Sequence, residues 1–152
     1  GDLHLGQILW TGHDIVFIDF EGEPGAPMAQ RTIKRSPLAD VAGLLRSFDY
    51  AGRMAVHTAI ERGRVIGIDD VDAWRGRWTA RNSEMLLRSY FEGIEGADLT
   101  PADDADRRLL VDLYTMTKAL YEIRYELANR PDWVTWPMAS VLEMLRADPV
   151  RR

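Results

Sequence analysis

Asp2, Gln7 and Asp19 are the side chains whose types and spacing could do chemistry together. Two short apolar runs, Ile8-Leu9-Trp10 and Ile15-Val16-Phe17-Ile18, flank the turn-forming Thr11-Gly12-His13-Asp14, a pattern that predicts a β-hairpin. A hairpin returns its two ends to one place. Asp2 and Gln7 precede the first strand and Asp19 closes the second, so one amide and two carboxylates should converge. A carboxylate with an amide oxygen suits Mg²⁺, a hard cation that takes a few protein oxygens and shares itself with phosphates. A second carboxylate beside it could accept a proton from an attacking hydroxyl. The same two acids also fit ordinary solvated loop positions, and spacing alone leaves both readings open.

The elements that must position these groups follow from periodicity. The second strand is apolar on both faces, which predicts cover on both sides. A loop rich in proline and glycine spans residues 22–37. Ser36-Pro37 reads as a cap followed by a first-turn proline. Leu38, Val41, Leu45, Phe48, Ala55 and Ala59 then form a helical stripe to about residue 62. A second helix is predicted from near Asp69 through Trp74, Trp78, Met85, Leu86, Tyr90 and Phe91, its tryptophans in the core. Thr100-Pro101-Ala102-Asp103 reads as the start of a third, with Leu109, Leu113, Met116, Leu120 and Leu127 as its core stripe. A last helix near 137–147 carries Met138, Val141, Leu142 and Leu145. The fold class expected is mainly α (α+β): a helical bundle with one small hairpin.

Composition narrows the function. A chain of 152 residues with 46% hydrophobic and 28% charged residues fits a single domain. No apolar run is long enough to span a bilayer. The formal charge of −5 disfavours nucleic acid, which needs a basic face. The absence of cysteine excludes disulfides and thiolate metal sites, and a cytoplasmic home is the default. The three histidines are too scattered for a metal cluster.

Gly1-Asp2-Leu3-His4-Leu5-Gly6-Gln7 resembles the catalytic loop of the aminoglycoside-phosphotransferase-like kinases, whose pattern is His-Gly-Asp-x-x-x-x-Asn, with Gln7 in place of Asn and the leading His before residue 1. Ile18-Asp19-Phe20-Glu21-Gly22 is similar to the metal-binding Asp-Phe-Gly segment, with a Glu inserted. Asp19-Phe20-Glu21-Gly22-Glu23-Pro24, the block from Asp40 to Tyr50 and the block from Lys118 to Trp133 extend the resemblance to bacterial maltokinases, including those fused to trehalose synthase. The resemblance covers nearly the whole chain. It implies a protein-kinase-like C-terminal lobe over residues 1–152, the hairpin carrying the catalytic loop. It also implies an N-terminal nucleotide-binding lobe upstream, since neither a glycine-rich loop nor a strand lysine is present. The implied activity is ATP-dependent phosphorylation of maltose to maltose 1-phosphate, in trehalose and α-glucan metabolism, with Mg²⁺ as cofactor.

On that resemblance Asp2 is the catalytic base or the group that orients the hydroxyl. Gln7 and Asp19 hold Mg²⁺, and Glu21 supports it through a water. Lys118, Tyr121 and Glu122 would bind the sugar, with Glu126 and Trp133 as further contacts. His4 would brace the catalytic loop. Asp40, one turn into its helix, either braces that loop or is an early-turn acid favoured by the helix dipole. The stripe Tyr114, Lys118, Tyr121, Tyr125 and Asn129 also fits helix-border residues with wet polar tips. Three other readings remain: a glucosamine kinase, an aminoglycoside kinase, which the dispersed acids disfavour, or a non-catalytic lobe that docks on trehalose synthase.

Overall fold

The computed structural model describes residues 2–20, 27, 29, 32–64 and 68–147. Glu21 and Gly1 lie outside the described residues. In chain order the elements are a 3₁₀ turn at Leu5–Gln7, strands β1 (Ile8–Trp10) and β2 (Ile15–Phe17), helices α1 (Leu38–Glu61), α2 (Ile68–Gly93) and α3 (Asp104–Asn129), a 3₁₀ turn at Pro131–Trp133, and helix α4 (Thr135–Ala147). The protein is mainly helical with one two-stranded antiparallel sheet, as the periodicities predict.

β1 and β2 pair Ile8 with Phe17, Leu9 with Val16 and Trp10 with Ile15. Thr11 and Asp14 close the turn: the Thr11 N–H donates to the Asp14 carbonyl, and the Asp14 N–H to Thr11 Oγ1. The expected cover on both faces of β2 is not found. Ile15, Val16 and Phe17 are 49%, 44% and 40% exposed. Apolarity on both faces shows what a strand could bury, whereas cover needs a layer on each side.

α1 is the central helix, with α2 and α3 packed on it and α4 against α3. Its start matches the expected cap: Ser36 Oγ accepts the Leu38 N–H at 3.3 Å, and Pro37 already has helical angles. Leu38 and Val41 meet Val111 of α3 in a buried cluster, with Leu45, Leu86, Leu87, Tyr90 and Tyr114 around it. α3 starts later than expected. Asp103, not Thr100, is its cap, and one carboxylate oxygen accepts the N–H groups of Ala105 and Asp106. A carboxylate directly before the first turn reaches those orphan donors.

The core face of α3 is also rotated from the expected one. Leu109, Leu113, Leu120 and Leu127 are 65%, 56%, 53% and 59% exposed, while Val111, Ala119 and Glu126 are buried. The inner face is apolar at its start, where Val111 meets Leu38 and Val41, but further along it meets Arg46 and Tyr50, so Glu122 and Glu126 line it there and the leucines face outward. α4 shows the same inversion: Met138, Leu142 and Leu145 are exposed, and Pro137 and Ser140 are buried. Trp74 is exposed too, stacked on Trp78, which sits edge-on to Phe48. Among the described residues no helix is long and apolar enough to cross a membrane.

Gly43 sets the position of the loop before β1. A Cβ there would lie 2.3 Å from the Leu3 carbonyl oxygen, so only glycine lets α1 and that loop touch. Gly76 of α2 has no atom within 4 Å of such a Cβ. Helix propensity alone favours alanine by about 1 kcal/mol at both sites. Gly76→Ala should therefore raise the melting temperature slightly, and Gly43→Ala should lower it, by an overpacking cost of about 1–3 kcal/mol. Thermal denaturation of the two variants checks the opposite signs; equal shifts would mean that the loop yields freely.

Candidate active site

The loop Asp2–Gln7 folds on itself and onto α1. His4 Nδ1 accepts the Gly6 N–H at 3.1 Å, and the His4 N–H donates to Gln7 Oε1 at 3.3 Å, a reciprocal capping arrangement. The Leu5 N–H donates to Ser47 Oγ at 3.2 Å, one turn along α1 from Gly43. The hairpin then returns the chain: the Ile18 N–H donates to the Gln7 carbonyl at 2.9 Å. Asp19 follows with a φ of 62°, uncommon for any residue but glycine and tolerated best by Asp and Asn. That twist aims its carboxylate at Gln7, whose Nε2 donates to Asp19 Oδ2 at 3.4 Å.

Asp2, Gln7 and Asp19 thus line one cleft of about 600 Å³, whose opposite wall is α3. Lys118, Tyr121, Glu122 and Glu126 line the same cleft. Lys118 Nζ donates to Asp2 Oδ1 at 2.5 Å and lies 4.9 Å from the Tyr121 ring centre. Tyr121 stacks on Tyr125 with ring centres 6.3 Å apart. Each ring also has a cation over it, Lys118 over Tyr121 and the Arg130 guanidinium, at 5.6 Å, over Tyr125.

The acids of α3 are less free than the sequence suggests. Glu122 Oε2 lies 2.8 Å from Arg46 Nε and 2.7 Å from its Nη2. Burial raises the Glu122 carboxyl above its ordinary range and outweighs the Arg46 charge that opposes it. Glu126 is almost wholly buried, forked by Arg130 at 2.9 and 2.6 Å and bonded by the Tyr50 hydroxyl at 3.1 Å. Burial, then the charges of Glu122 and Glu126, push the Tyr50 hydroxyl up, so it stays a donor. Both acids shape the wall through these partners.

One expected residue lies elsewhere. Trp133 does not line the cleft; it packs on Trp136 with ring centres 4.5 Å apart, beneath the Arg130 guanidinium. Asp40 is half-buried on the α2 side of α1, where its charge, second to burial, raises the Tyr90 hydroxyl. The Leu5 N–H joins the loop to α1 at Ser47, which sequence reasoning missed. Arg46, Tyr50 and Arg130 were missed as well. Arg46 and Tyr50 bond acids 76 positions away, a pairing with no local signal.

Hard-oxygen chemistry suits the hairpin end. Asp19 offers a carboxylate; the Gln7 carboxamide turns its Nε2 to Asp19 and its oxygen to the His4 N–H, so a rotation of the amide would bring that oxygen to a shared cation. The pair would supply part of a Mg²⁺ shell and leave the rest to phosphates and water. Among the described residues no group of three or more His, Asp or Glu could hold a metal by itself.

No family model matches the chain. It is similar to two curated glucosamine kinases. One, from Streptacidiphilus jiangxiensis, is 32% identical over 147 residues, 95% of this chain and 31% of that protein. The other, from Mycolicibacterium smegmatis, is 30% identical over 149 residues, 95% of this chain and 33% of that protein. A solved glucosamine kinase (crystal form B) superimposes with a TM-score of 0.77 at 29% identity, over 95% of this chain and 33% of that one. A glucosamine kinase in complex with glucosamine, ADP and inorganic phosphate gives 0.72 at 28%, over 95% and 32%. The chain spans about a third of the length of these relatives. It has a kinase-like fold, similar over nearly its whole length to one third of a glucosamine kinase.

Proposed function

We propose that this chain is the acceptor-binding and catalytic lobe of an ATP-dependent sugar kinase. The observation that carries the reading is the meeting of Asp2, Gln7 and Asp19 with Lys118 and Tyr121 in one cleft on a kinase-like fold. Asp2 would orient the acceptor hydroxyl and take its proton. Gln7 and Asp19 would hold Mg²⁺, which neutralises phosphate charge when bound. Phosphoryl transfer depends mainly on positioning and charge neutralisation, so a set this small is sufficient on the acceptor side. The groups that cradle the ATP phosphates would come from a separate nucleotide-binding lobe.

For the acceptor, the curated relatives favour glucosamine over the maltose that the sequence motifs imply. Maltose stays as the second reading because the blocks from Asp40 to Tyr50 and from Lys118 to Trp133 resemble those of maltokinases. The test is ADP release by the full-length protein with ATP, Mg²⁺ and either glucosamine or maltose, with the product identified. Preferred turnover of glucosamine supports the first reading and of maltose the second. Turnover of neither would remove the sugar-kinase reading. The 152-residue chain alone should stay far below ordinary kinase rates of roughly 1–100 s⁻¹.

A further inference from the structure

The cleft already contains a cation of its own. Lys118 Nζ is 2.5 Å from Asp2 Oδ1, and the two side chains are only 27% and 19% exposed, so the pair faces the cleft and not bulk water. The contact is a charge-assisted bond to one carboxylate oxygen. A substrate ammonium brought to the same carboxylate would lie within a few ångströms of Nζ, where two like charges in a partly buried site repel strongly. The neighbouring acids on α3 offer no better host. Glu122 is taken by Arg46, and Glu126 by Arg130 and Tyr50. Each acid on this side of the cleft is therefore matched by a protein cation.

We propose that Lys118 is a specificity-determining residue: its tethered ammonium fills the cation position beside Asp2. An acceptor is then read at that point through a neutral hydroxyl, and an amino sugar binds only with its ammonium turned away from Asp2. The Tyr121 face, 4.9 Å from Nζ, holds the lysine near this position through a cation–π contact. The proposal rests on the reading of the cleft as an acceptor site.

The experiment is calorimetric binding of glucosamine and of glucose to the full-length protein at about pH 6, where a sugar amine of ordinary basicity is protonated. Wild type, Lys118→Met and Lys118→Arg are compared. In Lys118→Met the vacated position can take the substrate's own ammonium, so the affinity for glucosamine relative to glucose should rise about tenfold, or 1.4 kcal/mol. Lys118→Arg keeps the charge and should keep the wild-type ratio. An unchanged ratio in Lys118→Met, with both sugars still bound, would overturn the proposal. If Lys118→Met does not fold, Lys118→Gln, which keeps a donor without the charge, must show the same rise, and its absence overturns the proposal equally. Failure of the acceptor-site reading has a different signature: neither glucosamine, glucose nor maltose would bind the wild type.

Discussion

Asp2→Asn should lower kcat by roughly 10²–10⁴ while both substrates still bind. Asparagine keeps the shape of the side chain and loses the negative charge that would orient and deprotonate a hydroxyl. It also takes from Lys118 the carboxylate that it contacts at 2.5 Å. Asp19→Asn should fail in another way. Asp19 sits at the hairpin end beside the Gln7 carboxamide, so its loss should weaken Mg²⁺ and nucleotide binding, with partial rescue by excess Mg²⁺. Sugar affinity should survive both changes. Calorimetric binding of sugar and of Mg²⁺–ATP to full-length variants, beside steady-state rates, separates the cases. Near-normal kcat in Asp2→Asn, or Mg²⁺ rescue of Asp2→Asn and not of Asp19→Asn, would show the roles to be misassigned.

Asp49→Ala should be the most damaging single change to stability. Asp49 of α1 is buried, and its Oδ2 accepts from Arg46 at 3.1 Å, Arg53 at 2.9 Å and Ser140 at 2.6 Å. Its Oδ1 accepts from Arg75 of α2 at 3.2 Å. One carboxylate thus ties α1 to α2 and α4, and through Arg46 and Glu122 to α3. Removing it strands two buried arginines, Arg46 and Arg75, without their shared counter-ion. Breaking one partner of a buried ionic network costs about 3–5 kcal/mol. For a chain of this length that is a fall in melting temperature on the order of 10 °C. A fall of only a degree or two in thermal denaturation would mean that Glu122, Glu143 and Asp72 suffice for the arginines.

The same network sets the acid limb of stability. Burial by itself would raise the Asp49 carboxyl, but Arg46, Arg53 and Ser140 outweigh it and hold the group below its ordinary value of 3.8. A depressed carboxyl contributes stability that is present above the unfolded value and is lost as pH falls through the folded one. Glu122 has the opposite sign: its raised carboxyl costs stability when ionised, so its protonation on acidification gives relief. The loss due to Asp49 should therefore concentrate below about pH 4, and Asp49→Asn should flatten that limb of a stability–pH curve.

Much of this protein was legible in the residues. The hairpin followed from two apolar runs around Thr11–Asp14, and the four helices from runs of period 3.6, although the start of the third lay later than its expected cap. The meeting of Asp2, Gln7 and Asp19 followed from the geometry of a hairpin, which brings its ends together whatever else the chain does. These are short-range features, settled by backbone sterics and by neighbours three or four positions apart. The buried face of α3 was not legible. Leucines recur at helical spacing on the outer side, while the inner side carries Lys118, Glu122 and Glu126, which a periodicity argument assigns to solvent. Their burial is tolerable only because Asp2, Arg46, Tyr50 and Arg130 meet them. Lys118 reaches Asp2 across 116 positions, and Arg46 reaches Glu122 across 76. Sequence by itself thus determined the elements and the local convergence at the hairpin end. Which helix face turns inward, and which cation neutralises which acid of the cleft, was decided only by tertiary packing, because a buried charge is stable only where a distant partner has been brought within hydrogen-bonding distance.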